Sequence, residues 1–319
     1  MWHDNETSVD LLGFDQLVDT ATFLVQSEEL LPLTVGVFGD WGSGKSSLMR
    51  MVHERLKSDE EYVTVSFSPW QHEDYDDVKA ALMAAVMTTL RDRRDLFDKL
   101  NENVFEGARG LWVRLAKRVD WFRTIGFAAK GLGAVAALSS GNPLGAGLAV
   151  GSVDDLRHMV RPDQLEKAFE RVEDEKLLED PAVEVTVTGQ NRESIDQSIG
   201  EFRRDFEALL ERLEVKALVV FIDDLDRCLP ANILDTVEAV RLFLAVPKTA
   251  FVIGADERIV RHAIATRYPE LPGQAVNIGR DYLEKIIQVP IRIPPMTPSE
   301  AETYLNLLGC SLYVKDEGE

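Results

Sequence analysis

Leu33-Thr-Val-Gly-Val-Phe-Gly-Asp-Trp-Gly-Ser-Gly-Lys-Ser-Ser-Leu-Met-Arg-Met-Val-His-Glu-Arg-Leu56 is the stretch that decides how this chain folds. Its centre, Gly39 to Ser46, fits the pattern G-x-x-x-x-G-K-[ST] of a phosphate-binding loop. The flanks supply the context such a loop needs. Leu33 to Phe38 is an apolar run that reads as a buried strand, and Ser47 to Leu56 carries apolar residues at helical spacing. Gly39, Gly42 and Gly44 let backbone N–H groups turn toward phosphate oxygens, and the helix N-terminus behind them adds partial positive charge. Asp40, Trp41, Ser43 and Ser47 complete the expected phosphate-binding set. Lys45 is expected to reach the β- and γ-phosphates as a catalytic cation, and the Ser46 hydroxyl to ligate Mg²⁺.

A second apolar strand completes the pattern. Lys216-Ala-Leu-Val-Val-Phe-Ile-Asp-Asp224 is apolar throughout and ends in two carboxylates. A strand of that kind belongs at the centre of a parallel sheet with both faces covered. Its C-terminal end is where ligands bind in such sheets. Asp223 is therefore the expected metal carboxylate, and Asp224 the residue expected to polarise the attacking water. Arg227 reads in two ways: as an arginine finger for a neighbouring subunit's nucleotide, or as a structural partner of Asp224 or Asp226. Asp256 follows the strand Thr249–Gly254 and also reads in two ways, as a sensor of the γ-phosphate or as the N-cap of a helix Arg258–Arg267. Gln288 to Ile293 is a last strand, and its internal Pro290 favours an edge position. The chain has no [NT]-K-x-D tetrapeptide, and Asp223 starts no D-x-x-G, so the expected nucleotide is ATP rather than GTP.

Composition narrows the class. The chain has 319 residues and a net charge of −20, which argues against a broad basic nucleic-acid surface. Two cysteines fit a reducing cytoplasm, and the start Met1-Trp-His-Asp-Asn-Glu6 does not read as a secretory signal. Further elements are expected as a helix over Phe14–Ser27, a strand over Glu61–Phe67, one long helix over Tyr75–Leu100, a helix over Glu193–Glu214 and a helix over Pro298–Leu308. Residues 131–153 carry no charged side chain and are rich in Gly, Ala, Leu and Val. Asn142-Pro143 splits that run into two pieces of about ten residues, each short of the ~20 that cross a bilayer. The favoured reading is a small-residue helical hairpin packed against protein. Membrane contact through residues 125–153, led by the basic residues before them, is the second reading. Residues 163–180 read as a charged helix, and Pro181 to Arg192 as a short hairpin segment.

Four motifs together resemble those of the KAP-family P-loop NTPases: Gly36–Ser47, Phe67-Ser-Pro-Trp-Gln-His-Glu-Asp74, Phe221-Ile-Asp-Asp-Leu-Asp-Arg-Cys228 and Tyr282–Pro294. The resemblance covers about Leu11 to Pro295. It implies an α/β P-loop NTPase fold: three αβα layers, a central mainly parallel sheet of the additional-strand type, and a helical insertion between the two motif-bearing halves. In that sheet one strand separates the Asp223 strand from the phosphate-loop strand. The implied organisation is an N-terminal helix and phosphate-loop half over 1–100, an insertion over 101–192, the second half of the core over 193–295, and the start of a helical lid over 296–319. The family includes phage-exclusion and defence proteins of bacteria. Expected cofactors are ATP and Mg²⁺; expected partners are further copies of the chain or an effector protein, with nucleic acid not favoured. The leading functional expectation is an ATP-driven switch. A small-molecule kinase and a nucleotide-binding scaffold with little turnover stand beside it.

Overall fold

The apolar runs become five strands of one sheet in the computed structural model, which describes residues 10, 12–72, 78–101, 104–116, 191–243, 246–267 and 278–316. The strands are β1 (Leu33–Phe38), β2 (Tyr62–Phe67), β3 (Ala217–Ile222), β4 (Thr249–Ala255) and β5 (Val289–Arg292). They run in the order β2-β3-β4-β1-β5, and every neighbouring pair is parallel. β1, β3 and β4 are buried along their whole length, which explains why they lack polar alternation. β4 lies between β3 and β1, as the additional-strand order requires. β5 takes an edge, where Pro290 removes no ladder donor that a second neighbour would need.

Helices cover both faces. On one side α1 (Asp15–Gln26) and α2 (Lys45–Lys57) pack on Val35, Val37, Val219, Phe221 and Val252. On the other side lie α3 (Val78–Asp92), α4 (Arg94–Asp98), α5 (residues 104–116), α6 (Asn191–Arg212), α7 (Pro230–Phe243), α8 (Glu257–Arg267) and α9 (Ile278–Ile286). They cover Val63, Val65, Phe67, Val220, Ile222, Phe251 and Ile253. Alternate residues of each strand thus serve two separate apolar layers, and the fold is a three-layer α/β P-loop architecture. Phe202 and Phe206 of α6 meet Phe243 of α7 edge-on at 5.7 and 5.5 Å between ring centroids, tying both helices to Phe251 of β4. A last helix, α10, runs over Pro298–Asp316.

The long helix expected over Tyr75–Leu100 is interrupted: α3 ends at Asp92 and α4 restarts at Arg94. No Pro or Gly causes the break. The Arg93 guanidinium instead bonds the carbonyls of Glu60 and Tyr62 and both oxygens of Asp95. These charge-assisted bonds fix the chain at the start of β2. α10 extends past Leu308 to Asp316; α5 falls in the helical insertion expected over 101–192, and α7 and α9 have no counterpart among the expected elements.

The chain divides into two compact units, residues 1–123 with 198–319, and residues 124–197. Of the second unit only 191–197, the start of α6, is described. The uncharged run 131–153, the membrane reading over 125–153, the charged helix 163–180, the hairpin segment up to 190, and Glu73-Asp74 lie outside the described residues. Among the described residues no helix is long and apolar enough to cross a membrane.

Candidate nucleotide site

β1 delivers the chain into the phosphate loop at Gly39, and α2 leaves it at Lys45. Gly42 and Gly44 take φ of +77° and +92°, a region that suits residues without a Cβ. Gly44 has a second constraint: a Cβ there would stand 2.7 Å from the Phe14 ring. The segment before α1 therefore rests directly on the loop. At Gly39 a Cβ would meet the Ser43 hydroxyl at 2.4 Å. The Ser43 hydroxyl is turned inward, buried and without a hydrogen-bond partner in the structure.

Lys45 is 8% exposed, so its charge must be compensated by protein or ligand. Its Nζ donates to the carbonyl oxygens of Gly39 and Asp40, both at 3.1 Å, and lies 3.7 Å from Asp226 Oδ2. The carboxylate that faces the lysine is thus Asp226, which the sequence reading left outside the expected nucleotide-binding set. Asp226 Oδ2 also accepts the Asp256 N–H at 3.1 Å, joining the ends of β3 and β4.

Asp223 is anchored by its backbone, whose N–H donates to the Phe67 carbonyl at 3.1 Å. Its Oδ1 accepts the N–H of Asp224 at 2.9 Å. Asp224 adopts φ +58°, ψ +26°, the left-handed region. Aspartate tolerates that region better than most residues with a Cβ, and Glu214 and Lys248, outside the cleft, share it. Asp224 Oδ1 is 2.9 Å from Arg227 Nε. Of the two readings of Arg227, pairing with Asp224 is the arrangement within this chain.

Asp256 acts as a cap in the structure: its Oδ1 accepts the Arg258 N–H at 2.9 Å in the first turn of α8. The Arg258 guanidinium returns to Asp256 Oδ2 at 2.7 Å and reaches Asp40 Oδ1 of the loop at 2.6 Å. The hydrogen-bonded Arg258 side chain outweighs the upward push of partial burial and holds the Asp256 carboxyl below the usual carboxylate range. Arg258 is a site residue that the motifs did not reveal, because no motif spacing places it against Asp40.

A cleft of roughly 930 Å³ opens along the C-terminal ends of the strands. It gathers Trp41, Gly42, Gly44, Lys45, Ser46 and Ser47 of the first motif with Asp223, Asp224, Asp226 and Arg227 of the second. Gly39, Asp40, Ser43 and Asp256 are not part of this lining. Leu12, Phe14, His53, Ser66, Ser68, Gln71 and Tyr304 also line the cleft. His53 meets Phe221 edge-on at 5.3 Å, and its burial lowers the imidazole pKa. The aromatic residues of Phe67–His72 do not support the loop by a Trp41–Trp70 stack. Those two side chains are 78% and 50% exposed, and the stacked pair is Phe67 with His72, at 5.2 Å and 11°.

The donors fit a magnesium-type ion. Among the described residues no group of three or more His, Cys, Asp or Glu forms a metal cage. Ser46 and Asp223 offer one hydroxyl and one carboxylate in the same cleft. Mg²⁺ in nucleotide sites takes few protein ligands and completes its shell with phosphates and water.

Comparison with known proteins agrees with this geometry. A family model described as the KAP family P-loop domain matches residues 18–317. The chain is 24% identical over 294 residues to the phage T7 exclusion protein of Escherichia coli (strain K12), a match covering 89% of this chain and 33% of that protein. The chain thus spans about a third of the length of the curated relative it matches.

Proposed function

The chain belongs to the KAP family of P-loop domains, and on that premise we propose that it is an ATP-binding, ATP-hydrolysing switch. In this reading nucleotide occupancy changes its association with an effector protein or with further copies of itself, in the setting of defence against phage. Domains of this kind bind a nucleotide together with a divalent metal. The choice of ATP rests on the absence of guanine-reading tetrapeptides. The defence setting rests on the likeness to a phage exclusion protein.

One observation carries the hydrolytic reading: Lys45, Ser46, Asp223 and Asp224, separated by up to 179 positions between Lys45 and Asp224, line one cleft. The loop N–H groups and the α2 terminus hold the phosphates. Lys45 leaves the Gly39 and Asp40 carbonyls and the Asp226 carboxylate to meet the β- and γ-oxygens. Ser46 and Asp223 would hold Mg²⁺, which would neutralise charge on the phosphates. Asp224 orients the attacking water and takes its proton. Arg227, paired with Asp224, fixes that carboxylate and is free to be exchanged onto a neighbouring copy's nucleotide if copies assemble.

Mg²⁺-dependent ATP hydrolysis by the purified chain is the test, beside Lys45→Ala and Asp224→Asn. The expected result is phosphate release without any acceptor, reduced on the order of 10²-fold or more by either change. Asp224→Asn should retain ATP binding and Lys45→Ala should weaken it. Tight ATP binding with only background turnover in the unaltered chain would sink the hydrolytic reading.

A further inference from the structure

The segment Phe67-Ser-Pro-Trp-Gln-His72 has no role in the account above, yet it is built tightly against the site. It continues β2 beyond the sheet and closes into a 3-10 turn over Pro69–His72. Three contacts fix it. The Phe67 carbonyl accepts the Asp223 N–H at 3.1 Å, the Ser68 carbonyl accepts the Gln71 N–H at 3.2 Å, and the Phe67 and His72 rings are stacked. Pro69 is buried. The first contact matters most, because it locks this turn in register with the carboxylates at the end of β3.

The turn presents two polar side chains to the cleft, Ser68 and Gln71. The Ser68 Oγ is buried and has no hydrogen-bond partner in the structure. A buried hydroxyl without a partner is costly, so its retention calls for an explanation. Buried as it stands, the hydroxyl is out of reach of water in the cleft, so its partner has to come from the turn itself. A site that holds a water needs two to four polar partners. Asp224 can supply only acceptors. A carboxamide supplies an acceptor and two donors at once, and Gln71 brings one to the same cleft.

We propose that Gln71, with the Ser68 hydroxyl beneath it, positions the attacking water opposite Asp224. The proposal rests on the ATP-hydrolysis reading and deepens it. In the reaction the water oxygen forms the new bond to the γ-phosphorus as the bridging P–O bond to the β-phosphate breaks. ADP leaves with the bonding electron pair, and the water proton passes to Asp224. Gln71 Oε1 accepts the water's second O–H and so aims its lone pair, while its Nε2–H donates to the Ser68 hydroxyl, which holds the carboxamide in place.

The test compares the unaltered chain with Gln71→Ala, Gln71→Glu and Ser68→Ala. Three quantities are read: Mg²⁺-dependent phosphate release, the Kd of a fluorescent ATP analogue, and the melting temperature. Gln71→Ala should lower kcat on the order of 10²-fold, with Kd and melting temperature within about twofold and a few degrees of the unaltered chain. Ser68→Ala should lower kcat less, about tenfold, in the same pattern. Gln71→Glu should show turnover that falls as pH rises through the glutamate range, because the ionised form loses the donor and sets a second negative charge by Asp224. Turnover of Gln71→Ala within twofold of the unaltered chain overturns the proposal. So does a loss that tracks weaker binding or a lower melting temperature, which marks a structural role. If the unaltered chain itself shows no turnover, the hydrolysis reading has failed instead.

Discussion

Lys45 shows how much of this site is set by single side chains. Its place in the first motif was legible from spacing alone, because a strand, a glycine turn and a helix leave the lysine nowhere else to go. Asp223 and Asp224 were legible for the same reason, at the end of an apolar strand. Asp226 was not. Its position against Lys45 depends on the 3-10 turn Leu225–Arg227, a conformation that residue types do not specify. Arg258 was equally hidden, since its contact with Asp40 spans 218 positions. Of the two readings of Asp256, the cap is the one whose contacts are present: it caps α8 and holds Arg258. That pairing makes a pH prediction. The Asp256 carboxyl is held below its ordinary value of 3.8, chiefly by Arg258. A depressed carboxylate contributes stability that is present above the unfolded value and is lost as pH falls through the folded one. Asp256→Asn keeps a capping side chain but removes the charge. Thermal melts should therefore show the substituted chain less stable at neutral pH. The gap should close as the pH drops below 3.8. A gap that stays constant into acid would place the stabilisation in the cap and not in the ion pair.

At the scale of elements, strands were read more faithfully than helices. β1, β3 and β4 are continuous apolar runs bounded by turn residues, and nothing competes with that pattern. The helices on the second face were harder. α7 begins with Pro230 at its first position, where the missing N–H is harmless, yet Leu229-Pro230 reads locally as a turn. The break at Arg93 goes with bonds to the carbonyls of Glu60 and Tyr62 at the start of β2, which helical periodicity does not carry. Close approach between elements also left a signal that is clear only afterwards. Gly254 of β4 faces α2 and β3, and a Cβ there would stand 2.4 Å from Met49 Sδ and 2.9 Å from Asp223 Oδ1. Gly254→Ala should destabilise the fold by about 1–3 kcal/mol in urea unfolding, by overpacking. It should also weaken Mg²⁺-dependent ATP binding, because Asp223 must shift. An unchanged unfolding midpoint would mean that Met49 yields without cost and that the glycine is not required by packing.

For the whole molecule, the three-layer architecture followed from two motifs and a set of apolar runs, but the strand order did not. Nothing in periodicity says that β4 inserts between β3 and β1; that expectation came from resemblance, and the structure agrees with it. The order has a physical effect. It places the ends of β1, β3 and β4 side by side, so that residues far apart in the chain meet at one rim. That rim is also where Trp41, Trp70, Leu229 and Met296 stand exposed. Trp41, the most exposed of these at 78%, sits within the phosphate loop itself. The loop therefore carries its own fluorophore. Arrival of ATP should change the emission of Trp41 in a chain bearing no dye, and Trp41→Phe should erase that change although four other tryptophans remain of the five. A signal that survives the substitution would have to arise elsewhere. A signal that vanishes turns the loop into a clock, on which nucleotide binding and release can be timed by light alone.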